Sequence, residues 1–152
     1  MNFVFPLMVF ATVLLSCLCQ PITEAHFQEC AEKLIRDNKS LKCAISKLRV
    51  NGTMPMAKEF MNCAFEASGW TDSDGKNFNV SKLTADLSTR GYSDKGEVKE
   101  VISECKSNIG VELSAVDYLN CLIDDNNTRR SFIMTIRSRD VIFYAQDHCK
   151  LV

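Results

Sequence analysis

The most informative stretch for the fold is EFMNCAFEASGW, residues 59–70. Its apolar residues recur three and four positions apart, which is the spacing of one side of an α-helix. The inward-facing set is Phe60, Cys63, Ala64 and Ala67. Gly69 follows directly and is suited to the left-handed conformation that ends many helices. The stretch therefore predicts a helix over 56–68 that buries one apolar side and ends at Gly69.

The same spacing continues outward in both directions from this helix, and no segment shows the alternation of a β-strand. The other predicted helices cover 27–38, 80–87, 94–107, 113–123 and 129–146. One more helix is predicted from its cap at Ser40 to Leu48. Polar loops separate them. The chain is therefore predicted to be all-α, a compact disulfide-linked bundle of about six or seven short helices.

The N-terminus indicates the compartment. Residues 3–19 carry no charge and have the length of a signal-peptide core with its cleavage region. Thr23-Glu24-Ala25 offers a small residue for cleavage, so we expect residues 1–25 to be removed and 26–152 to form one secreted domain. Two alternatives are a bacterial lipoprotein signal acylated at Cys17 and a retained membrane anchor.

Cysteine is the unusual component, with 8 residues in a chain of 152. Two of them leave with the predicted signal, and an even number remains in the secreted domain. The remaining residues are Cys30, Cys43, Cys63, Cys105, Cys121 and Cys149. Three disulfides are therefore expected, although spacing alone does not choose among the possible pairings. Four sequons, at Asn38, Asn51, Asn79 and Asn126, are compatible with glycosylation of a secreted chain.

Composition and motifs disfavour several classes of function. A net charge of −1 does not suit nucleic acid, and 2 His are too few for a His-rich metal site. The acidic loop 72–75 lacks the ligands of a calcium loop, and His148 and Cys149 point apart on a helix. The sequence therefore predicts a binding protein without catalysis, metal or cofactor, and with neither nucleic acid nor membrane as partner.

Basic residues concentrate in the last predicted helix. They are Arg129, Arg130, Arg137 and Arg139. Arg130 and Arg137 are two turns apart and share a face, which is either a solvated surface or a contact for an anionic ligand. Asp140 lies three residues after Arg137 and is placed to pair with it. Because ligand sites commonly lie between bundle helices, a cavity lined by apolar side chains is the alternative to a fully packed core.

The stretch 59–70, followed by Asp74-Gly75 and by Val80-Ser81-Lys82-Leu83, resembles the third-helix signature of insect odorant-binding proteins. The 41 residues between Cys63 and Cys105 also match that family. Glu59 and Glu112 stand where six-cysteine members have a further pair of Cys. Cys30 and Cys43 enclose 12 residues, and this spacing, with a Cys near the chain end, is most similar to the short-form salivary D-seven proteins of blood-feeding flies.

The resemblance implies the disulfides Cys30–Cys63, Cys43–Cys149 and Cys105–Cys121. It also implies a ligand pocket among the helices, in which two acids three positions apart hold an amine. Arg137 and Asp140 occupy those two positions here, Phe60 replaces a His, Ser46 replaces an Arg, and Leu119, beside Tyr118, replaces a Tyr. The implied ligand-binding set is Phe60, Tyr118, Leu119, Phe132, Ile136, Arg137 and Asp140.

The function that the resemblance implies is sequestration of host mediators in saliva, either biogenic amines or eicosanoids and other anionic lipids. Arg137 beside an apolar lining favours the anionic class. One alternative is a carrier of odorants, pheromones or other small hydrophobes in sensory or body fluid. Another is an extracellular protein that acts on host haemostatic proteins. A monomer is expected in each case.

Overall fold

The computed structural model describes residues 24–91, 95–110 and 113–150, and within these ranges the chain forms eight α-helices and no β-strand. The helices are α1 (His26–Leu34), α2 (Lys39–Ser46), α3 (Ala57–Ala67), α4 (Val80–Ser88), α5 (Lys95–Ile109), α6 (Ala115–Asp124), α7 (Arg129–Arg139) and α8 (Val141–Tyr144). The predicted all-α class is thus confirmed. Residues 1–23 of the predicted signal, the predicted α5 start at Asp94, and Glu112 lie outside the described residues. None of the described helices is long and apolar enough to cross a membrane.

Helix α3 lies at the centre of the bundle. It packs against α1 and α6, while α6 also packs against α5 and α7. Large apolar side chains from these helices fill the interior, because the helices are short and gain most of their stability from the faces that they bury. The largest fully buried side chains include Trp70, Tyr118, Phe60, Phe65, Phe132 and Phe143.

Three disulfides join neighbouring elements, and their pairs are those that the family resemblance implies. Cys30–Cys63 links α1 to α3, and Cys105–Cys121 links α5 to α6. Cys43–Cys149 fastens the C-terminal segment to α2 across a separation of 106 residues. The last bridge restricts the longest loop, so in the chain-entropy model it constrains the unfolded chain most.

The end of α3 forms a Schellman motif, which confirms the predicted role of Gly69. Gly69 has a φ of +72°. Its N–H donates to the carbonyl of Glu66 at 2.8 Å, and the N–H of Trp70 donates to that of Phe65 at 2.9 Å. The ring of Trp70 then packs edge-on against Phe65, with centroids 5.2 Å apart. The turn therefore directs Trp70 into the core.

The predicted single helix over 129–146 is wrong, because Asp140 divides it. Asp140 has φ −112° and ψ 60°, and it ends α7 and begins α8. Its carboxylate accepts a hydrogen bond from the N–H of Phe143 at 3.2 Å, as an N-terminal cap does. The division accounts for eight helices where seven were expected at most.

Two local predictions are also corrected. Asn38, not Ser40, caps α2, since its side-chain oxygen accepts from the N–H of Leu41 at 3.0 Å. Ala67 is exposed at the end of α3, and Met61 and Phe65 are buried instead. The buried face of α3 is thus rotated relative to the predicted one, because the helix is enclosed by α1 and α6 on different sides.

Candidate functional site

A small cavity lies where the start of α1, the end of α3 and the end of α7 meet. Its lining combines aromatic, aliphatic and ionisable side chains. They are Glu24, His26, Phe27, Ser68, Trp70, Ile136, Arg139 and Asp140. The cavity has a volume of about 10 Å³, which is about the space of one water molecule. A larger groove of about 600 Å³ between α4 and α5 is open and lined mainly by small side chains and Lys99.

Arg139 is the cation of this cavity. Its Nη1 pairs with the carboxylate of Asp86, while its Nε and Nη2 both contact Oε2 of Glu24. The guanidinium carbon lies 5.1 Å from the ring centroid of Trp70, within the range of a cation–π contact. The side chain is only 11% exposed. Arg139 is therefore a partly desolvated cation held between two acids and an aromatic face.

Asp86 connects the cavity to the rest of the bundle. Its Oδ2 accepts from Nε1 of Trp70 at 2.7 Å, and its Oδ1 pairs with Nζ of Lys82 at 2.7 Å. Both partners are held independently, Trp70 by the end of α3 and Lys82 by α4. The network therefore fixes the orientation of the guanidinium of Arg139.

Asp140 is another ionisable group of the cavity and is 2% exposed. One carboxylate oxygen accepts from the N–H of Phe27, and the other accepts from that of Phe143. Helix α1 has no side-chain cap of its own, because Ala25 stands at its N-cap. Burial raises the pKa of Asp140, and the backbone N–H groups of Phe27, Phe143 and Gln28 oppose that rise. Asp140 thus caps two helices while facing the cavity.

The structure separates the predicted ligand-binding residues. Ile136 and Asp140 line the cavity, whereas Arg137 is exposed and is not among the lining residues. The carboxylate of Asp140 faces α1, so the expected pairing with Arg137 is replaced by hydrogen bonds to backbone N–H groups. Arg137 therefore lies outside the cavity for which the sequence proposed it.

The remaining predicted residues are packed in the core. They are Phe60, Tyr118, Leu119 and Phe132, each fully buried. The hydroxyl of Tyr118 donates to the carbonyl of Lys76 at 2.6 Å. Burial, with the charges of Asp72 and Asp117, raises the pKa of Tyr118 to about 12. Tyr118 thereby joins α6 to the loop before α4.

Six residues that line the cavity were not predicted from the sequence. They are Glu24, His26, Phe27, Ser68, Trp70 and Arg139. Two signals were present, since Trp70 is the single Trp and Arg139 belongs to the basic cluster. Neither signal predicts that the side chains face each other, because that depends on where α3 and α7 end.

Comparisons with known proteins match most of the chain. The sequence model of the PBP/GOBP family matches residues 22–125. The chain is 40% identical over 136 residues to the short form salivary protein D7S1 of Aedes aegypti, an alignment that covers 90% of each chain. It is 25% identical over 133 residues to the neutrophil recruitment protein of the same mosquito, covering 84% of this chain and 85% of that protein.

Proposed function

We propose that this chain, which belongs to the PBP/GOBP family, sequesters a small host mediator at the cavity between α1, α3 and α7, which widens to admit it, and acts without catalysis. Membership confirms the resemblance drawn from the stretch 59–70 and from the motifs after it. It also supports the coarser statement that the chain is a secreted small-ligand-binding protein. The ligand and the site are the parts that we propose.

The observation that carries the proposal is the coexistence of an aromatic wall and oriented ionic groups in one cavity. Phe27, Trp70 and Ile136 provide apolar surface, and Arg139 and Asp140 provide buried charge. Small-ligand sites are mostly apolar with a few placed polar groups that fix orientation. This composition favours an amphiphile with an apolar body and one ionic group, such as a biogenic amine or an eicosanoid.

Salivary use is supported by the similarity to a short form salivary protein of Aedes aegypti. A protein injected with saliva can lower the free concentration of a host mediator by binding it in stoichiometric amounts. Such a role needs affinity and abundance but no turnover. This role agrees with the lining of the cavity, which combines ionisable side chains with apolar surface and pairs no nucleophile with a base.

The test is calorimetry of the secreted domain with serotonin, histamine, a leukotriene and a fatty acid. We expect one of them to bind with a stoichiometry near one, and Ile136→Phe to weaken that binding because the larger ring fills the cavity. Met134→Phe, on the exposed side of α7, is the matched control and should bind as the unaltered chain does. Heat of binding from none of the four compounds would contradict the proposal.

Carriage of odorants or pheromones is a second candidate function, favoured by the match to the PBP/GOBP family itself. Transcript abundance separates the two, since a mediator scavenger belongs in salivary gland and an odorant carrier in antenna. Action on host proteins is the third candidate. It is raised by the relative named as a neutrophil recruitment protein. It predicts binding to a protein target with no heat from small molecules.

A further inference from the structure

We propose that the carboxylate of Glu24 occupies the place of an acidic ligand group, and that removal of the signal after Ala25 turns Arg139 into a carboxylate-binding residue. This inference rests on the proposed ligand-binding function and assigns the ligand class and the residue that recognises it. The site is the edge of the Arg139 guanidinium formed by Nε and Nη2, which contacts Oε2 of Glu24 in the uncleaved chain.

The contact between Glu24 and Arg139 is the kind that guanidinium groups make with carboxylate ligands. Charge-assisted hydrogen bonds of this kind are among the strong ones in proteins. Asp86 takes the other side of the guanidinium and is shared with Lys82 and Trp70. Loss of Glu24 therefore leaves Arg139 in place, with its outer edge open to a new acceptor.

Glu24 lies in the segment that we expect the signal peptidase to remove. Cleavage after Ala25 leaves His26 as the first residue, directly before Phe27, whose N–H is bound by Asp140. Cleavage also removes the carbonyl of Ala25, which accepts from the N–H of Glu29 at 2.8 Å, but the cap that Asp140 supplies at Phe27 remains. Asp140 therefore still holds the start of α1 while the wall of the cavity that Glu24 forms is lost.

The size of the cavity points the same way. With Glu24 in its lining, the cavity has a volume of about 10 Å³, which is about the space of one water molecule. Departure of the Glu24 side chain opens the cavity beside Arg139, whose Nε and Nη2 it now contacts. A ligand that enters along this path presents its acidic group to Arg139 and its apolar body to Phe27 and Ile136.

Charge in the cavity also changes on cleavage. In the uncleaved chain the carboxylate of Glu24 contacts Arg139 and lies 3.4 Å from Nε2 of His26, while Asp86 and Asp140 supply further negative charge beside Arg139. Cleavage removes the carboxylate of Glu24 and gives His26 an α-ammonium group, so the site becomes more positive while Asp86 and Asp140 stay. The cleaved cavity therefore favours an anionic ligand more than the uncleaved cavity does.

The experiment compares two chains that differ only at the N-terminus, one beginning at Glu24 and one beginning at His26. Each is titrated with arachidonate, with the alcohol of the same carbon chain, and with serotonin, by calorimetry. We expect the chain from His26 to bind arachidonate about tenfold tighter than it binds the alcohol, the value of one charge-assisted contact. The chain from Glu24 should lose that preference and should regain part of it with Glu24→Gln.

Two substitutions in the chain from His26 then identify the recognising residue. Arg139→Gln should abolish the preference for acid over alcohol, and Arg137→Gln, two positions away and exposed, should retain it. In the chain from Glu24, Glu24→Gln changes a partly exposed side chain, so it tests the site even if Arg139→Gln lowers the stability of the shorter chain. Mass spectrometry of the secreted protein should find His26 as the first residue.

The outcomes separate this inference from the proposed function. Equal affinity of the two chains for arachidonate, a secreted protein that begins before Glu24, or equal binding of acid and alcohol overturns the inference alone. In those cases binding of the alcohol or of serotonin still supports a ligand carrier. Failure of all three compounds, and of histamine and a leukotriene, to bind either chain overturns both proposals.

Discussion

The carboxylate of Asp140 accepts a hydrogen bond from the backbone N–H of Phe27, which lies 113 positions earlier in the chain. This contact supplies the cap that α1 lacks in its own sequence and fixes the start of α1 against the end of α7. The same carboxylate caps α8 through Phe143. One buried acid therefore sets the geometry of the cavity from two sides.

Asp140→Ala should lower the free energy of unfolding by about 2–4 kcal/mol, because it leaves buried N–H groups at two helix starts without an acceptor. Asp140→Asn keeps one acceptor oxygen and should cost about half as much. Denaturant unfolding with the disulfides intact measures both values. Asp124→Ala, at an exposed position at the end of α6, is the control. Equal losses for Asp140→Ala and Asp124→Ala would contradict the capping role.

Arg139 and Arg137 offer a matched pair on one helix. In the chain from His26, Arg139→Met should lower the free energy of unfolding by about 1–3 kcal/mol, since it leaves Asp86 and Trp70 without a buried cationic partner. Arg137→Met should change it by less than about 0.5 kcal/mol, because Arg137 is exposed. The emission of Trp70, the single Trp, should shift only in the first variant. An emission shift of similar size in both variants would indicate that Arg137 also lies near the Trp70 ring, and would contradict the prediction.

Gly75 is required by its neighbour as well as by its backbone angle. A Cβ at this position would lie 2.2 Å from Oδ1 of Asn62, and the φ of +74° adds strain for any other residue. Asn62 must then move, although its amide joins the carbonyl of Asp74 at 3.0 Å and the N–H of Ala115 at 3.2 Å. Gly75→Ala should therefore destabilise the fold by more than about 2 kcal/mol.

Gly110→Ala separates backbone strain from the contact with Asn62. Gly110 has a φ of +81°, but no atom would lie within 4 Å of a Cβ added there. The substitution should cost only the backbone strain, about 1–2 kcal/mol. Thermal unfolding of the two variants under the same conditions measures the difference. If Gly75→Ala lowers the thermal stability by no more than Gly110→Ala does, the close contact with Asn62 does not contribute to the loss.

Asp72 gives the fold a dependence on pH. Burial acts to raise its pKa, but hydrogen bonds from the side chain and backbone of Asn77 and from the backbone of Lys76 outweigh it and lower the pKa to about 2. A carboxyl with a lowered folded pKa stabilises the fold above its unfolded pKa, and that stability is lost as the pH falls through the folded value. Asp72→Asn should therefore be less stable than the unaltered chain at pH 6.

The difference in stability should narrow as the pH falls from about 4 to about 2, where about half of the folded chains carry a protonated Asp72, and it should close only below that pH. Denaturant midpoints of both chains at pH 6, 4, 3 and 2 measure this difference in stability. A gap that keeps its size down to pH 2 would show that the ionised carboxylate contributes nothing.

Much of the fold followed from local pattern. The spacing in 59–70 predicted α3 and its end at Gly69, since both depend on residues within one or two turns. The residues that carry the family resemblance also form one structural unit. Asn62 joins the loop at Asp74 to the start of α6, and Trp70 follows the Schellman turn into the core. The motif was informative because its members contact one another.

The sequence did not predict the division at Asp140, and the reason is physical. Apolar spacing continues through Ile136, Phe143 and Tyr144, so local pattern favours one helix. The helix stops because the Asp140 carboxylate turns toward the N–H of Phe27, a partner that no window of sequence contains. This stop also places Arg139 at the last position of α7, where its side chain reaches Trp70 and Asp86.

By itself, then, the sequence determined the all-α class, the helix positions to within a few residues, the family and the expectation of a ligand carrier. These follow from periodicity, cysteine count and motif, which are properties of neighbours along the chain. The identity of the cavity residues depended on contacts between α1, α3, α4 and α7. Only the folded arrangement brings Glu24, Asp86 and Arg139 together, because their attraction acts across space and leaves no periodic trace in the sequence.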